Sequence, residues 1–221
     1  MEDQIILIDK PAGISSFGVV AKVRAKLKNE FGHKVKVGHT GTLDPFATGL
    51  LILLSGKMTK KSDEFLRHDK VYEATLKLGF TSTTGDPEGE IAKTINTPSA
   101  KHPKKSDISS AVSSFIGKIA QTPPRFSAIK INGERAYKLA RKGENFEIPS
   151  REVEIYSIDI LNYDYPELTI RCHVSSGTYI RTLAEDIGKK LGTGAYLTAL
   201  RRIKIADYDV KDASSLNDYM L

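Results

Sequence analysis

The sequence contains a single cysteine, Cys172, in 221 residues. An internal disulfide needs two cysteines, so the fold cannot depend on one, and we expect a reduced, cytoplasmic protein. The longest apolar run, residues 50–54, is much shorter than the ~20 residues of a membrane-spanning helix. The first residues also lack the basic start and apolar stretch of a signal peptide. These absences predict a soluble globular protein.

Several kinds of site are missing as well. The histidines are scattered along the chain, and Cys172 and His173 are neighbours on a predicted strand, so they point to opposite faces. We therefore expect no metal. Residues 49–57 have the wrong spacing for a phosphate-binding loop, and Met58 stands where such a loop has Ser or Thr. No Ser-His-Asp set and no pair of carboxylates stands out, although spacing along the sequence excludes neither.

The net charge is +6, from 33 basic and 27 acidic residues. An excess of this size is compatible with a polyanionic partner such as a nucleic acid. Charge alone does not identify the partner, so the interpretation depends on a site.

Strand and helix patterns alternate irregularly along the chain. Apolar or period-two patterns predict strands at 4–9, 50–54, 71–78, 126–131, 153–163 and 168–174. Apolar stripes at helical spacing predict one helix that begins after Ser15 or Ser16 and another at 178–191. We also predict a polar helix at 57–67 and helices at 107–116 and 135–142. Because there is no strict βαβ rhythm, we predict an α+β fold with a central mixed, largely antiparallel sheet.

We expect one domain over residues 1–221 with a long loop or insertion around residues 80–150. Residues 80–105 are rich in Thr, Ser, Gly, Pro and Lys, which is typical of a loop. Loops of this length are uncommon in compact domains and are often functional.

The most informative segment is 38–49, which reads Gly-His-Thr-Gly-Thr-Leu-Asp-Pro-Phe-Ala-Thr-Gly. Its glycines allow positive φ or the close approach of a ligand. Asp44 precedes a proline, which disfavours helix at that position. A carboxylate on such a loop, between a strand and a helix, is a candidate nucleophile or base. On spacing alone, an aspartate that merely closes a turn is the commoner case.

Four further residues have two interpretations each. Tyr72, on a predicted strand, could stack on a base or transfer a proton, or it could be an ordinary core aromatic. Arg181 could hold a carboxylate through its two-pronged guanidinium, or it could form a surface pair with Glu185. Arg201 and Arg202 could contact phosphates or form a solvated charge pair.

Each motif is weak by itself, but their order from about residue 5 to residue 202 resembles the TruB family of tRNA pseudouridine synthases. The aspartate segment is the most specific of them. The motifs are, in chain order, Lys10-Pro11-Ala12-Gly13, the 38–49 segment, Tyr72, Gly85-Asp86-Pro87-Glu88-Gly89, Pro123-Pro124-Arg125-Phe126-Ser127-Ala128, Gly177-Thr178-Tyr179-Ile180-Arg181 and Leu200-Arg201-Arg202.

The resemblance implies the pseudouridine-synthase fold and, as substrate, the T-loop uridine of tRNA at the position conventionally numbered 55. It also implies the site residues. Asp44 would be catalytic, with Arg181 paired to it, and an arginine beside an aspartate keeps the carboxyl ionised. Tyr72 would stack on the target base and could move a proton. His39 would fill the space left by the flipped nucleotide, and Tyr179 and Leu200 would line the uridine pocket.

The reaction implied by the resemblance needs no metal or cofactor, because the uridine is broken at its C1′–N1 bond, turned and rejoined through C5. The residues do not distinguish attack by Asp44 on carbon 1′ from attack on the pyrimidine ring. Longer family members carry a C-terminal RNA-binding module, and too few residues follow Arg202 to form one. We therefore expect a short form, whether natural or truncated.

Two other functions stay open from the sequence. One is a non-catalytic protein that binds or helps to fold tRNA in the same cleft. The other is a glycoside hydrolase with Asp44 as nucleophile, which would need a second carboxylate ~5–10 Å away. We expect the T-arm of tRNA as the partner, no membrane, and a monomer, since no self-complementary apolar pattern is visible.

Overall fold

A computed structural model of the chain describes residues 2–94 and 102–221. The chain forms two units, Met1–Glu73 with Ala199–Leu221, and Ala74–Thr198, which we call the first and second units. A division of this kind does not by itself separate domains, so the single domain expected over residues 1–221 stays a prediction. In the described ranges, no helix is both long and apolar enough to cross a membrane.

The fold combines fourteen strands and six α-helices among the described residues. The strands are β1 (Ile5–Lys10), β2 (Val37–His39), β3 (Thr48–Ser55), β4 (Lys70–Leu78), β5 (Phe80–Ser82), β6 (Ile91–Lys93), β7 (Gly117–Gln121), β8 (Lys130–Ile131), β9 (Glu134–Arg135), β10 (Arg151–Asp164), β11 (Glu167–Val174), β12 (Ala195–Ile205), β13 (Tyr208–Asp209) and β14 (Ser214–Ser215). The helices are α1 (Ser16–Phe31), α2 (Ser62–Leu66), α3 (Lys105–Ser113), α4 (Ala136–Arg141), α5 (Ile180–Lys190) and α6 (Leu216–Met220), and 3₁₀ turns cover Gly56–Lys61 and Val210–Asp212.

Strand β3 is the centre of the first unit. It pairs antiparallel with β1 and β2 and parallel with β12, and β14 pairs parallel with β1. One face of β3 packs with β1 and α1 through Leu51 and Leu53. Its other face packs on Phe65 and Ile205. Because both faces are covered, the strand reads as an unbroken apolar run rather than an alternating one.

Helix α1 begins where its sequence predicts. The Ser15 hydroxyl accepts a hydrogen bond from the Gly18 amide at 3.0 Å, as an N-cap residue does. Gly32 ends the helix in the left-handed region, with φ of 74°, and its amide donates to the Lys28 carbonyl. Burial of Val23 and Leu27 at helical spacing orients α1 against the sheet.

Gly49 brings the backbones of β3 and β12 unusually close together. Its φ is 104°, and an added Cβ would lie 2.7 Å from the Arg202 amide nitrogen and closer still to its carbonyl oxygen. We expect Gly49→Ala to lower the free energy of unfolding by about 3–5 kcal/mol, from backbone strain and overpacking together. Urea unfolding measures this loss.

Gly143→Ala is the matched control for Gly49→Ala. Gly143 also has a positive φ, 72°, but an added Cβ would meet nothing within 4 Å. Its cost is therefore only the left-handed backbone, about 1–2 kcal/mol. Equal losses for the two variants would show that the approach of Arg202 to Gly49 does not matter.

The second unit is built around the hairpin of β10 and β11. These strands pair antiparallel, turn at Tyr165 and Pro166 as the sequence predicts, and β7 extends the sheet along β10. Helix α5 buries an apolar stripe that includes Leu183 and Ile187. The sheet pairing in both units confirms the predicted α+β fold with a mixed, largely antiparallel sheet.

The structure differs from the local predictions at three places. The long strand β12 was not predicted, although it runs from Ala195 to Ile205. The strand predicted at 126–131 is reduced to β8, because its carbonyls at 126, 127 and 129 accept hydrogen bonds from Arg181 and from the start of α4. The loop predicted at 80–105 contains the hairpin of β5 and β6, and its residues 95–101 lie outside the described residues.

Candidate functional site

The loop that carries Asp44, residues 40–47, connects β2 to β3, so it joins two strands rather than a strand and a helix as expected. Its backbone is fixed from α1. The Ser16 hydroxyl accepts from the Leu43 amide at 2.8 Å and donates to the Leu43 carbonyl at 2.9 Å. The Gly13 amide donates to the Pro45 carbonyl at 2.9 Å. The residues on either side of Asp44 are therefore both held in place.

Lys10 also contacts this loop, through its side chain. Its side chain is fully buried, and the ammonium donates to the carbonyls of Pro11 and Ile14, both at 2.8 Å, and of Pro45 at 3.3 Å. A buried cation must be compensated by acceptors, and here carbonyls supply them. Lys10 thus ties the end of β1 to the residue that follows Asp44.

Arg202 bonds the main chain of the loop near its start and of the strand that follows it. It is 1% exposed, and its guanidinium donates from Nε to the Leu50 carbonyl at 2.8 Å and from Nη2 to the Gly41 carbonyl at 3.1 Å. Arg201 instead makes a bidentate ion pair with Asp9, at 2.6 and 3.0 Å. The interpretation as a solvated charge is therefore wrong for Arg202, which is buried, whereas the Arg201 side chain is 39% exposed in its pair with Asp9.

Three other predicted residues lie in the first unit with Asp44. His39 ends β2, and its Nδ1 accepts from the Gly41 amide at 3.3 Å. Tyr72 on β4 and Leu200 on β12 are 7% and 8% exposed. The roles predicted for them stay predictions.

Lys70 is a third buried cation of the first unit, after Lys10 and Arg202. It is 7% exposed and donates to the carbonyls of Leu66, at 3.1 Å, and His68. Burial, and then the neighbouring Arg202 charge, lower the pKa of Lys70 to about 8, while Asp69 opposes the change. The folded protein therefore gives up this proton at a lower pH than the unfolded chain.

Between about pH 8 and the ordinary lysine pKa of 10.5, the unfolded chain binds more protons at Lys70 than the folded one. The contribution of this group to the free energy of unfolding must rise with pH over that window. We expect urea unfolding at pH 7.5 and at pH 10 to show wild type gaining stability relative to Lys70→Met. Lys130→Met, at an exposed position, is the control. A difference between wild type and Lys70→Met that is the same at both pH values would contradict the prediction.

Arg181 is the centre of the site residues in the second unit. It is 5% exposed and forms an ion pair with Asp86 at 3.2 Å. It also donates to the carbonyls of Thr84 at 3.0 Å and Phe126 at 2.8 Å. Its burial excludes the surface pair with Glu185 that the sequence allowed.

Asp86 is itself buried and held on both sides. It is 2% exposed, and its Oδ1 accepts from the Thr84 hydroxyl at 2.5 Å and from the Glu88 amide at 3.0 Å. The contacts of Thr84 and Glu88 thus fix one oxygen of the carboxylate, and Arg181 binds the other. Asp44 and Arg181 belong to different units, and their pairing stays a prediction.

Tyr179 immediately precedes α5 and is held by two residues of the neighbouring strands. Gln121 hydrogen-bonds both its amide and its carbonyl, at 2.7 and 3.0 Å. The Arg151 guanidinium lies over the tyrosine ring, 5.0 Å from its centroid.

Sequence reasoning missed the residues that support the site: Lys10, Asp86, Gln121 and Arg202. Lys10, Asp86 and Arg202 stood inside quoted motifs, but no pattern indicated that they are buried. In the described part of the chain, no cluster of three His, Cys, Asp or Glu side chains could hold a metal ion. A cavity of about 460 Å³ in the first unit is lined by residues such as Lys36 and Lys57, and by none of the predicted site residues.

Comparison of the sequence with protein families finds two matches. Residues 26–180 match the model of the TruB family pseudouridylate synthase N-terminal domain. Residues 181–220 match the tRNA pseudouridylate synthase B C-terminal domain. Together they span residues 26–220.

Curated relatives are similar over almost the whole chain. tRNA pseudouridine synthase B of Phocaeicola vulgatus is 45% identical over 99% of this chain and 92% of its own length. The enzyme of the same name from Flavobacterium johnsoniae is 47% identical over 96% of this chain and 93% of its own. That of Aquifex aeolicus is 44% identical over 99% of this chain and 74% of its own.

Solved structures show the same fold. A Cbf5-Nop10-Gar1 complex contains a chain that superposes with a TM-score of 0.74 at 28% identity, over 99% of this chain and 54% of that one. An H/ACA RNP bound to a substrate RNA containing 2'-deoxyuridine gives 0.71 at 25% identity, over 99% and 52%. The chain therefore spans about half the length of these solved relatives. From the match over residues 26–180 and the identity to its relatives, the chain belongs to the TruB family of pseudouridylate synthases.

Proposed function

We propose that this protein is a tRNA pseudouridine synthase that isomerises uridine in the T-loop of tRNA, at the position conventionally numbered 55. Family membership and relatives named tRNA pseudouridine synthase B support the reaction. The observation that carries the proposal is the 40–47 loop, in which the flanks of Asp44 are fixed by Ser16 and by Gly13 with Lys10.

The reaction breaks the C1′–N1 bond, forms a C1′–C5 bond, places a proton on N1 and releases one from C5. Asp44 acts as the nucleophile toward the substrate and leaves when the new bond forms, so no external reagent is consumed. The target base leaves its stack before reaction, and Tyr72 offers it an aromatic face. His39 fills the space it vacates, and Tyr179 and Leu200 line the pocket. Arg181 pairs with Asp44 and keeps the carboxylate ionised.

This chemistry requires that the reacting groups be held in fixed positions, since a small misplacement of such a group can cost ~10²-fold in rate. Main-chain contacts to Leu43 and Pro45 leave the position of Asp44 little freedom. Arg181 is mounted similarly, by Asp86 and two carbonyls.

The test is tritium release from an unmodified tRNA transcript labelled at C5 of its uridines. We expect one equivalent of tritium per tRNA, lost when the uridine at position 55 is replaced by cytidine. Release that survives this replacement would contradict the T-loop assignment. Tight binding without release would identify a non-catalytic tRNA-binding protein, and free uracil would identify a glycoside hydrolase.

The T-arm as the contact region, a monomeric state and a cytoplasmic location remain part of the proposal. Footprinting on tRNA and sedimentation of the protein at micromolar concentration test the first two. The proposed reaction requires no metal or cofactor, so activity is expected to survive chelation by EDTA.

A further inference from the structure

Two proposed site residues lie at the start of α5. Tyr179 immediately precedes the helix, and Arg181 is its second residue. Tyr179 occupies the N-cap position with extended backbone, φ −99° and ψ 113°, and its own side chain caps nothing. A helix start leaves several amides without intrahelical partners, so something else must hold this residue.

Gln121 supplies that hold from outside the helix. It is the last residue of β7 and is 1% exposed. Its Oε1 accepts from the Tyr179 amide at 2.7 Å, and its Nε2 donates to the Tyr179 carbonyl at 3.0 Å. In a capping box, a residue of the helix itself satisfies the N-cap amide. Here a residue of the sheet satisfies that amide and also binds the carbonyl.

Two hydrogen bonds to one residue fix more than a helix end. They restrain the peptide groups on both sides of the Tyr179 Cα, and these set the direction in which its Cβ and ring project. Burial makes the restraint stronger, because water does not compete for the amide of a residue that is 1% exposed.

Arg151 restrains the ring itself. It lies opposite Gln121 in the pairing of β10 with β7, and its guanidinium sits 5.0 Å from the Tyr179 ring centroid. It also donates to the Gly177 carbonyl. A Cβ at Gly177 would lie 3.2 Å from the Arg151 Cζ, so a larger residue at this position would crowd the guanidinium. One cross-strand pair thus contacts both the backbone and the ring of Tyr179.

We propose that Gln121 is a positioning residue for the isomerase reaction, which sets the orientation of Tyr179 in the uridine pocket by clamping its backbone. The role rests on the proposed function, since that function places Tyr179 against the substrate. Gln121 touches no reacting atom in this role and acts through Tyr179.

The test is a double-mutant cycle of Gln121→Met and Tyr179→Ala in tritium release from labelled tRNA. Methionine keeps the shape of glutamine and removes both hydrogen bonds. We expect kcat to fall by ~10–100-fold in Gln121→Met, with KM changed less than about threefold, because misplacement affects the chemical step. In the Tyr179→Ala background the same substitution should change kcat by less than about twofold, since its target is gone.

A merely structural role predicts a different result. Gln121→Met would then lower kcat by the same factor in both backgrounds, or would lower Tm alone, and either result overturns the proposal. Ser55→Ala is the stability control, because it removes the contacts of a fully buried hydroxyl in the first unit, with the Gln4 amide and the Glu2 carbonyl. We expect it to lower Tm with kcat unchanged.

If Gln121→Met does not fold, Gln121→Asn replaces it, because the shorter amide cannot reach both groups of Tyr179, and the cycle is interpreted in the same way. An inactive wild type would overturn the proposed function and this role with it. An active wild type with a fully active Gln121 variant overturns only the role of Gln121.

Discussion

Asp44→Asn is expected to reduce pseudouridine formation by at least about 10³-fold while leaving the fold intact. Asparagine has the shape of aspartate but lacks the negative charge and cannot act as the nucleophile. The backbone of the turn has contacts that the substitution leaves in place, because the Asp44 carbonyl accepts from the Ala47 amide at 3.1 Å and the Leu43 amide donates to the Ser16 hydroxyl at 2.8 Å.

Single-turnover tritium release with enzyme in excess measures this effect without interference from product release. Thermal unfolding of the variant should show a smaller loss of stability than that of Asp86→Ala, because Arg181 keeps its contacts with Asp86 and with the carbonyls of Thr84 and Phe126. Asp63→Asn, an exposed aspartate at the start of α2, is the matched control and should retain full activity. If Asp44→Asn turned over at a rate close to wild type, another residue would have to be the nucleophile.

Much of the first unit could be predicted because its local signals agree with its packing. The serine before α1 is an N-cap, its apolar residues recur at helical spacing, and the glycine after it has positive φ. The apolar run at 50–54 predicts a buried strand, and β3 is buried on both faces. In such segments the tertiary structure adds little that propensity does not already indicate.

Strand β12 escaped prediction because its charges interrupt the apolar pattern. Arg202 is nevertheless 1% exposed, since the carbonyls of Gly41 and Leu50 receive its guanidinium. Those acceptors come from a loop and a strand about 150 residues earlier in the chain. A window along the sequence treats an arginine as exposed, and only long-range contacts can reverse that expectation.

The candidate site divides in the same way. Asp44, Tyr72 and Arg181 were predicted as site residues from the order of motifs, which resemblance to a family can detect and hydrophobic periodicity cannot. The residues that hold them had no local signal. Gln121 is a polar residue at a strand end, and its function depends on Tyr179, which lies 58 positions later in the chain.

Asp86→Ala is expected to cause the largest loss of stability among the site variants. The carboxylate and the Arg181 guanidinium it meets have side chains only 3% and 6% exposed. Removing one partner of a buried ion pair leaves the other charge less compensated away from water, at a cost of about 3–5 kcal/mol. We also expect activity to fall by about 10²-fold, because Arg181 loses a contact that fixes its position.

Asp186→Ala provides the control on the helix that carries Arg181. Asp186 pairs with Lys189 at 3.3 Å, but the lysine side chain is 72% exposed. An exposed pair of this kind contributes less than about 1 kcal/mol, so urea unfolding should barely change and activity should be retained.

If both variants lost the same small amount of stability, the Asp86–Arg181 pair would not contribute more to the stability of the second unit than an exposed pair does. If Asp86→Ala lost stability but kept full activity, the pair would support the fold without positioning Arg181 for catalysis. Loss of both in Asp86→Ala alone would show that Arg181 depends on this carboxylate for its place in the site.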